Sequence, residues 1–480
     1  MDTNRRDFLK GTAWMGAAAV AAGCMSDGAK LSLGAGTMQG FAPKALKKIR
    51  VGVAGLGMRG PGAVHRLSAI PGVEVAALCD LHAERVAIQQ KWLKDNGKPA
   101  AKEYVGKTAY KAMCDSDLDV IYNATSWDMH VPIALCAMDH GKHALVEVPS
   151  ATTLEDCWAL VETSERTKRI CMQLENCCYG ETEMLCLNLC RKGLLGELVH
   201  GEGAYIHDLR SLCYQDPIVD KPWGGSGYNN YWRLRHNVKH KGNQYETHGL
   251  GPICQNMNVN RGDRFDYLVS LESNQFNFEA YGKAVGNAQW KKDLRVAMGD
   301  MNTTLIKTVL GRSIMIQHDV SSPRPYSRIN KTTGTLGIFA DYPYRVALAK
   351  KPGDPCHSFF GEKEAEAVRQ EHMHPLWKRA GEFAKKVGGH GGMDFLMDLR
   401  WCYCLQNGLP FDFDVYDLAA WCSLGELTEK SVRNRSCSMD VPDFTRGGWK
   451  TAKPLGIVDV DLAKMGDWGD AKKDATALSV

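Results

Sequence analysis

The sequence lacks the features that mark several common protein classes. Its net charge is only +4 with both signs well mixed, and no basic run carries interleaved aromatic residues. A nucleic-acid partner is therefore not expected. The uncharged run from Gly11 to Cys24 is shorter than the ~20 residues that a membrane-spanning helix needs. No internal repeat is present, and the remaining chain is long enough for a soluble protein of two domains with substantial cores.

Metal-binding patterns are also scarce. Although the chain has 17 cysteines, it contains no Cys-x-x-Cys pair and so lacks the usual spacing of a zinc site. The cluster His372-Met373-His374 lies in a charged stretch that we predict to be exposed, which disfavours a metal site there. No bound metal is therefore expected.

Residues 49–80 carry the most informative pattern in the chain. An apolar strand leads into the turn Gly55-x-Gly57-x-x-Gly60, a helix follows, and a second apolar strand ends on Asp80. The three glycines allow, in order, a tight turn, the approach of backbone N–H groups to a pyrophosphate, and close packing of helix on strand. The helix N-terminus faces the phosphates, and the Asp80 carboxylate accepts from ribose hydroxyls and repels a 2′-phosphate. This unit predicts NAD binding, with NAD favoured over NADP.

The region after Asp80 continues this alternation of strands and helices. We predict strands at 119–125 and 143–148 and helices at 131–140 and 154–168. Alternating β and α units imply a parallel sheet, with the cofactor across the carboxyl ends of its strands. The predicted fold class is α/β, with an N-terminal doubly wound Rossmann sheet.

The second half predicts a C-terminal α+β domain with an open sheet. Its predicted elements are a helix at 181–192, strands at 196–205, 265–269, 303–309 and 314–318, and closing helices at 395–405 and 415–432. Residues 208–250 and 320–350 are predicted to be long loops, of a length that is often functional. The predicted domains are an export signal and linker at 1–43, an NAD-binding Rossmann domain at 44–170 and a substrate-binding domain at 171–480.

The N-terminus has the pattern of a twin-arginine export signal. The pair Arg5-Arg6 precedes the uncharged run, which ends in Ala-Ala-Gly-Cys24 and resembles a lipoprotein cleavage box. Ala21 stands where such boxes usually carry Leu, so simple cleavage after small residues is the alternative. The sequence predicts a protein exported by the twin-arginine route, either periplasmic or anchored to the cell envelope by a lipid on Cys24.

Export has consequences for the cofactor and the thiols. Twin-arginine export moves folded proteins, so NAD can be loaded before export, whereas free NAD is scarce outside the cytoplasm. We therefore expect binding tighter than a micromolar Kd, which corresponds to only about 8 kcal/mol, and chemistry that regenerates the bound cofactor. Folding in a reducing compartment predicts that most cysteines are buried thiols rather than disulfides.

The glycine turn and two later segments resemble the glucose-fructose oxidoreductase family, also named Gfo/Idh/MocA. These segments run from Thr125 to His130 and from Gly141 to Pro149. That family usually has Glu-Lys-Pro where this chain has Glu-Val148-Pro, and its lysine assists proton transfer from the substrate hydroxyl. Because valine cannot carry a proton, a plain alcohol dehydrogenase of this type would lack its usual acid/base group.

Further motifs resemble glycoside hydrolase family 109. They are Glu175-Asn-Cys-Cys-Tyr179, Gly201-Glu-Gly-Ala-Tyr205, Tyr231-Trp-Arg233, Tyr245-Glu-Thr-His248, Ser322-Pro-Arg-Pro-Tyr326 and Gly389-His-Gly-Gly-Met-Asp394. The resemblance spans nearly the whole mature chain and implies a retaining, NAD-dependent α-N-acetylgalactosaminidase. Such an enzyme oxidises C3 of the sugar transiently, eliminates the C1 substituent, adds water and reduces C3 again, with no net redox change. A cofactor that returns to its oxidised form in every reaction cycle suits an exported enzyme.

The resemblance also implies the site residues. His248 is the candidate base for the C3 hydroxyl, since imidazole titrates near neutral pH. Tyr245 and Tyr205 are candidates to handle the C2 proton or to bind sugar hydroxyls, although a phenol with an ordinary pKa near ~10 needs help from neighbours to act as a base. Arg59, at the start of a helix, is expected to meet a phosphate. Further residues expected at the sugar are Arg233, Glu246, Thr247 and Tyr326, and those expected at the cofactor are Gly55, Gly57, Met58, Arg59, Gly60, Asp80, Trp127, Asp128, Met129, His130, Glu147, Val148 and Asn176.

Two other functions stay open at this point. One is an exported NAD-dependent sugar oxidoreductase of the Gfo/Idh/MocA type, and the other is a non-catalytic NAD-binding protein of the envelope. The expected partner is a glycan or glycoside with a terminal N-acetylgalactosamine. Because an open sheet often pairs with another subunit, we also expect a homodimer.

Overall fold

The computed structural model describes residues 36–220, 226–466 and 468. The twin-arginine pair, the cleavage box and Cys24 lie outside the described residues. The predicted linker to residue 43 ends earlier than expected, because Met38 is buried and its N–H donates to the Tyr416 hydroxyl at 3.1 Å.

The first half of the chain forms a six-stranded sheet in which all strand pairs are parallel. Its strands are β1 (Ile49–Ala54), β2 (Val73–Asp80), β3 (Lys102–Val105), β4 (Val120–Asn123), β5 (His143–Val146) and β6 (Cys171–Gln173). The helices between them are α1 (Gly60–Ser68), α2 (Ala83–Asp95), α3 (Ala109–Cys114), α4 (Trp127–Asp139) and α5 (Leu154–Thr167). The strand order β3-β2-β1-β4-β5-β6 reverses between β1 and β4, which confirms the doubly wound Rossmann sheet.

These strands form because their residues are apolar on both faces. Every residue of β4 and β5 is buried, as expected for central strands covered by helices on both sides. The helices begin at local signals; Thr153, for example, accepts from the N–H of Asp156 and caps α5. The last strand of this sheet, β6, ends at Gln173.

The second half contains an eight-stranded mixed sheet. Its strands are β7 (Leu198–Ile206), β8 (Phe265–Glu272), β9 (Asn302–Thr308), β10 (Ser313–Asp319), β11 (Lys331–Gly334), β12 (Gly337–Ala340), β13 (Arg345–Leu348) and β14 (Met439–Asp440). Their order is β13-β12-β11-β7-β10-β9-β8-β14, with β7 and β10 parallel and the other pairs antiparallel. The predicted α+β domain with an open sheet is confirmed.

Ten helices accompany this sheet within the described residues. They are α6 (Glu181–Arg191), α7 (Arg210–Cys213), α8 (Trp232–Lys239), α9 (Thr247–Met257), α10 (Asn277–Val285), α11 (Gln289–Asp293), α12 (Glu362–His372), α13 (Pro375–Val387), α14 (Met393–Asn407) and α15 (Val415–Arg433). Short 3-10 turns occur at Asn176–Tyr179, Asn229–Tyr231, His390–Gly392, Gly448–Lys450 and Leu462–Met465.

Helix α9 packs very closely on β7. A Cβ on Gly203 would lie 2.2 Å from the Gly249 carbonyl oxygen, and a Cβ on Gly249 would lie 2.2 Å from the Ala204 nitrogen. No other residue fits at either position without a shift of the backbone. This contact fixes the start of α9 against the end of β7, where the two elements reach the cleft described below.

The predicted closing helices pack on the nucleotide-binding half as well. Helix α14 lies against α1 and β1, and α15 lies against both α5 and β8. A buried ion pair between Arg66 Nε and Asp398 Oδ2, at 2.7 Å, joins α1 to α14. The two halves of the chain therefore share one continuous core.

Two predicted loops contain regular structure instead. Residues 320–350 were predicted to be a loop, but they form β11, β12 and β13 at one edge of the second sheet. Each of these strands has only four residues, which is too short to show a clear alternation of apolar and polar residues. Residues 208–250 contain α7 and α8, although 221–225 lie outside the described residues.

Most described cysteines and His374 are buried. All described cysteines are free thiols and most are buried, as predicted. His374 is buried rather than exposed, since its Nδ1 accepts the N–H of Leu376 and caps α13. Among the residues that the structure describes, no helix is both long and apolar enough to span a membrane.

Candidate active site

A cleft of about 1040 Å³ lies across the carboxyl ends of β1, β2 and β4 and reaches the end of β7. The glycine turn and Asp80 line it together with Tyr205 and His248 of the second half. The strand order explains this position, because the chain leaves β1 and β4 in opposite directions and opens a crevice between them. We call the part lined by the glycine turn and Asp80 the nucleotide end, and the part lined by Tyr205 and His248 the sugar end.

The glycine turn has the geometry predicted for it. Gly55 has φ of 84°, and a Cβ there would lie 2.5 Å from the Ala124 carbonyl oxygen. A Cβ on Gly60 would lie 1.9 Å from the Gly55 carbonyl oxygen. Gly60 therefore packs against the turn itself rather than against the strand. Both positions require glycine.

Asp80 is held at the end of β2 by backbone groups. Its Oδ2 accepts the N–H of Leu56 at 2.7 Å, and its Oδ1 accepts the N–H of His82 at 2.9 Å. A carboxylate has about four acceptor positions, so two remain for the hydroxyls of a ribose. This arrangement fits the predicted role.

Arg85 supplies a positive charge at the nucleotide end. Its Nη1 lies 3.5 Å from the position that a Cβ on Gly57 would take and 3.9 Å from Asp80 Oδ1. The side chain is only 14% exposed, yet its guanidinium makes no hydrogen bond to any other described residue. A largely buried cation whose ion pair with Asp80 is long and makes no hydrogen bond, beside a glycine turn, fits a ligand that brings phosphate oxygens. The nucleotide end therefore fits NAD.

Arg59 lines the cleft beside the glycine turn, and two carboxylates hold its guanidinium. Its Nε donates to Glu147 Oε1 at 3.1 Å, and its Nη1 donates to Asp394 Oδ2 at 3.0 Å. Burial lowers the pKa of Arg59, but the charges of these carboxylates outweigh it and raise the pKa well above its usual value. The guanidinium ties the end of β5 to the start of α14, a role that its place in the sequence did not predict.

A glycine-rich segment stands at the edge of the cleft. Residues 388–392 all have positive φ, between 47° at His390 and 105° at Gly392. His390 lines the cleft, and its Nδ1 lies 3.0 Å from Asp394 Oδ2. Asn176, which was predicted at the cofactor, lines the cleft and donates to the other oxygen of Asp394. Asp394 therefore positions groups from three separate segments.

Several other residues predicted at the cofactor lie together in the cleft wall. They are Met58, Trp127, Asp128, Met129, His130, Glu147 and Val148. His130 has its two ring nitrogens 2.8 and 3.0 Å from the carbonyl oxygens of Pro149 and Thr125, and so joins the ends of two strands. Val148 is buried in the wall, where it can supply contact but no proton.

His248 forms a pair with Glu175 at the sugar end. His248 Nδ1 lies 2.7 Å from Glu175 Oε1, which also accepts the N–H of Cys177 at 3.0 Å. Burial raises the pKa of Glu175, but the charge and hydrogen bond of His248 outweigh burial and hold the pKa below its usual value. An ionised carboxylate keeps the proton on Nδ1 and leaves Nε2 as the basic nitrogen.

Arg233 is buried among aromatic rings. Its Cζ lies 4.6 Å from the ring centre of Tyr245, 5.1 Å from Trp127, 5.5 Å from Tyr228 and 5.7 Å from Tyr205. Its Nη1 donates to the Tyr228 hydroxyl at 3.0 Å, and no carboxylate among the described residues pairs with it. A desolvated cation of this kind favours an acceptor on a ligand or a phenolate beside it.

Tyr205 has a second imidazole beside it. The Tyr205 hydroxyl lies 3.2 Å from His207 Nδ1, and both residues line the cleft. Burial raises the pKa of Tyr205 while the charge of Arg233 acts against it. Burial and the charge of Arg233 lower the pKa of His207, so its imidazole is neutral at neutral pH.

Three residues predicted at the sugar do not line the cleft. Glu246 and Thr247 are fully buried behind it, and burial raises the pKa of Glu246 well above its usual value. The Tyr326 hydroxyl accepts from Arg328 Nη1 at 3.1 Å, and its ring lies 5.1 Å from the ring of His207. The structure brings Tyr205, Arg233, Tyr245 and His248 together without these three.

Sequence reasoning missed Glu175, His207 and Arg85 as site residues. Glu175 opens a motif already noted, which was a usable signal. His207 follows Tyr205 by two residues, the spacing that places both on one face of a strand. Glu175, Cys177 and His248 are also close enough to hold a metal ion, but burial raises the pKa of the Cys177 thiol well above its usual value, which disfavours the thiolate that a metal would need.

Two family models match the chain. The model described as "Glycosyl hydrolase 109, C-terminal domain" matches residues 179–451. The model described as "Oxidoreductase family, NAD-binding Rossmann fold" matches residues 49–174. Together they cover the two halves that the structure shows.

Curated relatives and solved structures agree with this division. "Glycosyl hydrolase family 109 protein 2" of Shewanella sp. (strain ANA-3) is 45% identical over 462 residues, which cover 95% of this chain and 99% of the relative. "Glycosyl hydrolase family 109 protein 1" of Bacteroides fragilis (strain YCH46) is 45% identical over 86% of this chain and 89% of the relative. Levoglucosan dehydrogenase in complex with NADH and L-sorbose shares the fold, with a TM-score of 0.61 at 18% identity over 83% of this chain and 100% of that one.

Proposed function

Because this chain belongs to glycoside hydrolase family 109, we propose that it removes terminal α-linked N-acetylgalactosamine from glycans and glycosides by transient oxidation of the sugar. Family membership makes it an NAD-dependent glycosidase, whereas the sugar and the route are the proposal. The observation that carries the route is the pair of His248 and Glu175. This pair places a base in the same cleft as the NAD-binding turn.

Bound NAD would supply the redox chemistry, accepting hydride from C3 of the sugar and returning it at the end of the cycle. His248 Nε2 removes the proton of the C3 hydroxyl as the ketone forms. Glu175 stabilises the imidazolium that results, because its carboxylate is ionised and fully desolvated. The same imidazolium can return its proton when C3 is reduced.

The carboxylates of the cleft support this route over ordinary glycoside hydrolysis, which uses a pair of acidic residues across the scissile bond. Among the described residues, the carboxylates that line the cleft are Asp80, Asp128 and Glu147. Asp80 belongs to the nucleotide end, Asp128 accepts from the Ser126 hydroxyl, and Glu147 accepts from Arg59. No pair is left to flank a glycosidic bond.

The sugar specificity rests on the family resemblance and on Arg233. The buried guanidinium can donate to a neutral oxygen of the substrate, and the acetamido carbonyl of an N-acetylated sugar is such an acceptor. The surrounding rings of Trp127, Tyr205 and Tyr245 offer apolar faces for the sugar.

The direct test uses purified enzyme without added cofactor. It is incubated in heavy water with p-nitrophenyl α-N-acetylgalactosaminide, while p-nitrophenol release and exchange at C2 are followed. Release with exchange at C2 supports the proposal. No release, together with stoichiometric reduction of added NAD by a free sugar, would make the protein an oxidoreductase instead. Unchanged properties in His248→Ala would favour a non-catalytic NAD-binding protein.

We also propose that the protein is exported by the twin-arginine route. The motif and Cys24 lie outside the described residues, so the support comes from the sequence pattern alone. Replacing both Arg5 and Arg6 by lysine should leave the protein in the cytoplasm of fractionated cells. A lipid on Cys24 should appear in the mass spectrum of the mature protein and disappear in Cys24→Ala.

A homodimer is the proposed assembly. The face of the second sheet that points away from α9 exposes Leu271 and Leu305, and Met315 and Val269 are the register partners of Leu305 on its two neighbouring strands. Such an apolar surface supports association of two copies. Light scattering should give a dimer mass that Leu305→Asp lowers to the monomer mass. A monomer in the wild type would contradict it.

A further inference from the structure

We infer that Tyr205 removes the C2 proton of the oxidised sugar and that His207 accepts the phenolic proton of Tyr205. His248 then serves the C3 hydroxyl only. The inference rests on the proposed function, because the C2 proton becomes acidic only after C3 has become a ketone. It assigns the two proton transfers of the reaction to two separate imidazoles.

The positions of the two imidazoles carry this inference. Tyr205 and His207 lie two residues apart at the end of β7, so both side chains point to the cleft face of the sheet. The ring centres of Tyr205 and His248 are 5.3 Å apart with the ring planes at 73°, so the two side chains are in edge-to-face contact and line the same part of the cleft. The close contact between Gly203 and Gly249 fixes this separation, since it joins the strand that carries Tyr205 to the helix that carries His248.

Arg233 opposes the effect of burial on Tyr205. Its guanidinium lies 5.7 Å from the Tyr205 ring centre and has no carboxylate partner among the described residues. Burial raises the pKa of Tyr205, and the positive charge of Arg233 acts against that rise, so a transient phenolate is less unfavourable there than it would be without Arg233. His207 can accept the phenolic proton because its Nδ1 lies 3.2 Å from the Tyr205 hydroxyl and its imidazole is neutral before the step.

Tyr245 is the competing candidate for the same proton. Its ring lies 4.3 Å from that of Tyr205 and 4.6 Å from the Arg233 guanidinium carbon. Its hydroxyl, however, makes no hydrogen bond to any other described residue, so no acceptor for its proton lies beside it. Tyr205 has both the cation and the acceptor, whereas Tyr245 has only the cation.

Removal of the C2 proton and loss of the aglycone occur with protons and electrons in balance. The phenolic proton of Tyr205 moves to His207 Nδ1, and the phenolate oxygen takes the proton from C2 of the ketone. The electron pair of the C2–H bond forms the C1=C2 bond, and the C1–O bond breaks with its pair on the aglycone oxygen, which takes a proton from solvent. Water then adds its hydroxyl group at C1 and releases its other proton to solvent, Tyr205 returns a proton to C2, and His207 returns its proton to Tyr205.

The test separates C3 oxidation from C2 proton removal in the holoenzyme. Tyr205→Phe and His207→Asn are mixed with p-nitrophenyl α-N-acetylgalactosaminide in heavy water. Reduced cofactor is followed by absorbance, and exchange at C2 by mass spectrometry. Asn keeps an acceptor for the phenol but cannot take its proton. The matched controls are Tyr344→Phe, outside the cleft, and His200→Asn, on the opposite face of the same strand.

Both cleft variants should form reduced cofactor with the wild-type amplitude, while C2 exchange and p-nitrophenol release fall about a hundredfold or more. The controls should match the wild type. Wild-type C2 exchange in Tyr205→Phe would overturn the assignment of the base, and wild-type exchange in His207→Asn would overturn the role of His207. No reduced cofactor and no exchange in the wild type would overturn the proposed function and this inference together.

A second variant keeps the inference testable if either substitution prevents folding, which is checked by melting temperature and bound NAD. With 3-fluorotyrosine at position 205 the phenol is more acidic at nearly unchanged size. The pH profile of C2 exchange should then move to lower pH, while that of C3 oxidation stays in place. An unmoved exchange profile would overturn the inference.

Discussion

The two ends of the cleft are built in different ways. The nucleotide end consists mainly of backbone groups and glycines from one continuous stretch, residues 49–80, with Asp80 held by two N–H groups. The sugar end consists of side chains from distant segments, in which Glu175, Tyr205, Arg233 and His248 lie close together. A site that is formed by one local turn can be predicted from the sequence. A site that is formed by side chains from distant segments depends on how those segments pack. The predictions below test whether the two ends can be damaged separately.

The largest effect should come from His248→Ala, which removes the base at the sugar end. We expect glycosidase activity to fall by about 10²- to 10⁴-fold, while bound NAD per protein stays at the wild-type value because no part of the nucleotide end changes. Activity is measured by p-nitrophenol release, and NAD by acid extraction. His200→Ala, on the outer face of β7, is the control. Loss of NAD in His248→Ala would show that the two ends are coupled.

Gly60→Ala should damage the nucleotide end. Its Cβ would lie 1.9 Å from the Gly55 carbonyl oxygen, so the turn must move. We expect loss of most bound NAD and a loss of stability of roughly 1–3 kcal/mol, measured by NAD content and by denaturant unfolding. Gly456→Ala, where a Cβ meets nothing within 4 Å, is the control. Wild-type NAD content in Gly60→Ala would contradict the proposed need for glycine.

Glu246, which is buried behind the cleft, predicts how the stability of the protein depends on pH. Burial raises its pKa well above the usual value of about 4.5, so the folded protein binds one more proton than the unfolded chain once the pH passes that value. Stability contributed by this group is therefore present below pH 4.5 and is lost progressively as the pH rises.

The corresponding variant is Glu246→Gln, which cannot ionise. We expect its melting temperature to rise relative to the wild type between pH 5 and pH 8, with a gain of up to about 3 kcal/mol at neutral pH. Glu84→Gln, at an exposed position on α2, should show no such trend. A difference from the wild type that is constant with pH would mean that Glu246 is ionised in the folded protein.

The smallest effect should come from Arg85→Ala, which removes the cation beside Gly57. Loss of one charge-assisted hydrogen bond should weaken NAD binding about tenfold or more, seen as faster loss of NAD when the holoenzyme is diluted. Lys91→Ala removes the same charge from an exposed position on the same helix and is the control. Equal retention in both variants would show that Arg85 does not contact the cofactor.

Much of the fold follows from local patterns in the sequence. Helix α5 was predicted at 154–168 and occurs at Leu154–Thr167, and the strand predicted at 314–318 occurs at Ser313–Asp319. These elements have strong apolar periodicity and clear ends, so local physics decides them. The strands at 331–348 were missed because their stability comes from pairing with β7 and with each other rather than from their own residues.

The candidate site divides in the same way. Asp80 and the three glycines could be assigned from spacing, and His248 from its motif. The partner of Arg59 could not be predicted, since its guanidinium donates to Asp394, which lies 335 residues further along the chain. Glu246 and Thr247 share a motif with His248, yet a helical start points neighbouring side chains in different directions, and only His248 of the three lines the cleft.

The sequence by itself determined the parallel sheet, the NAD-binding turn and the buried state of most thiols, because each depends on the backbone preferences and polarity of neighbouring residues. Only the tertiary structure decided which charges are paired. Glu175 keeps its charge beside His248, burial raises the pKa of Glu246 two residues before that histidine, and Arg233 has no carboxylate partner among the described residues. The physical reason is that ionisation in a desolvated site depends on the groups packed within a few ångströms, and those groups come from distant parts of the chain.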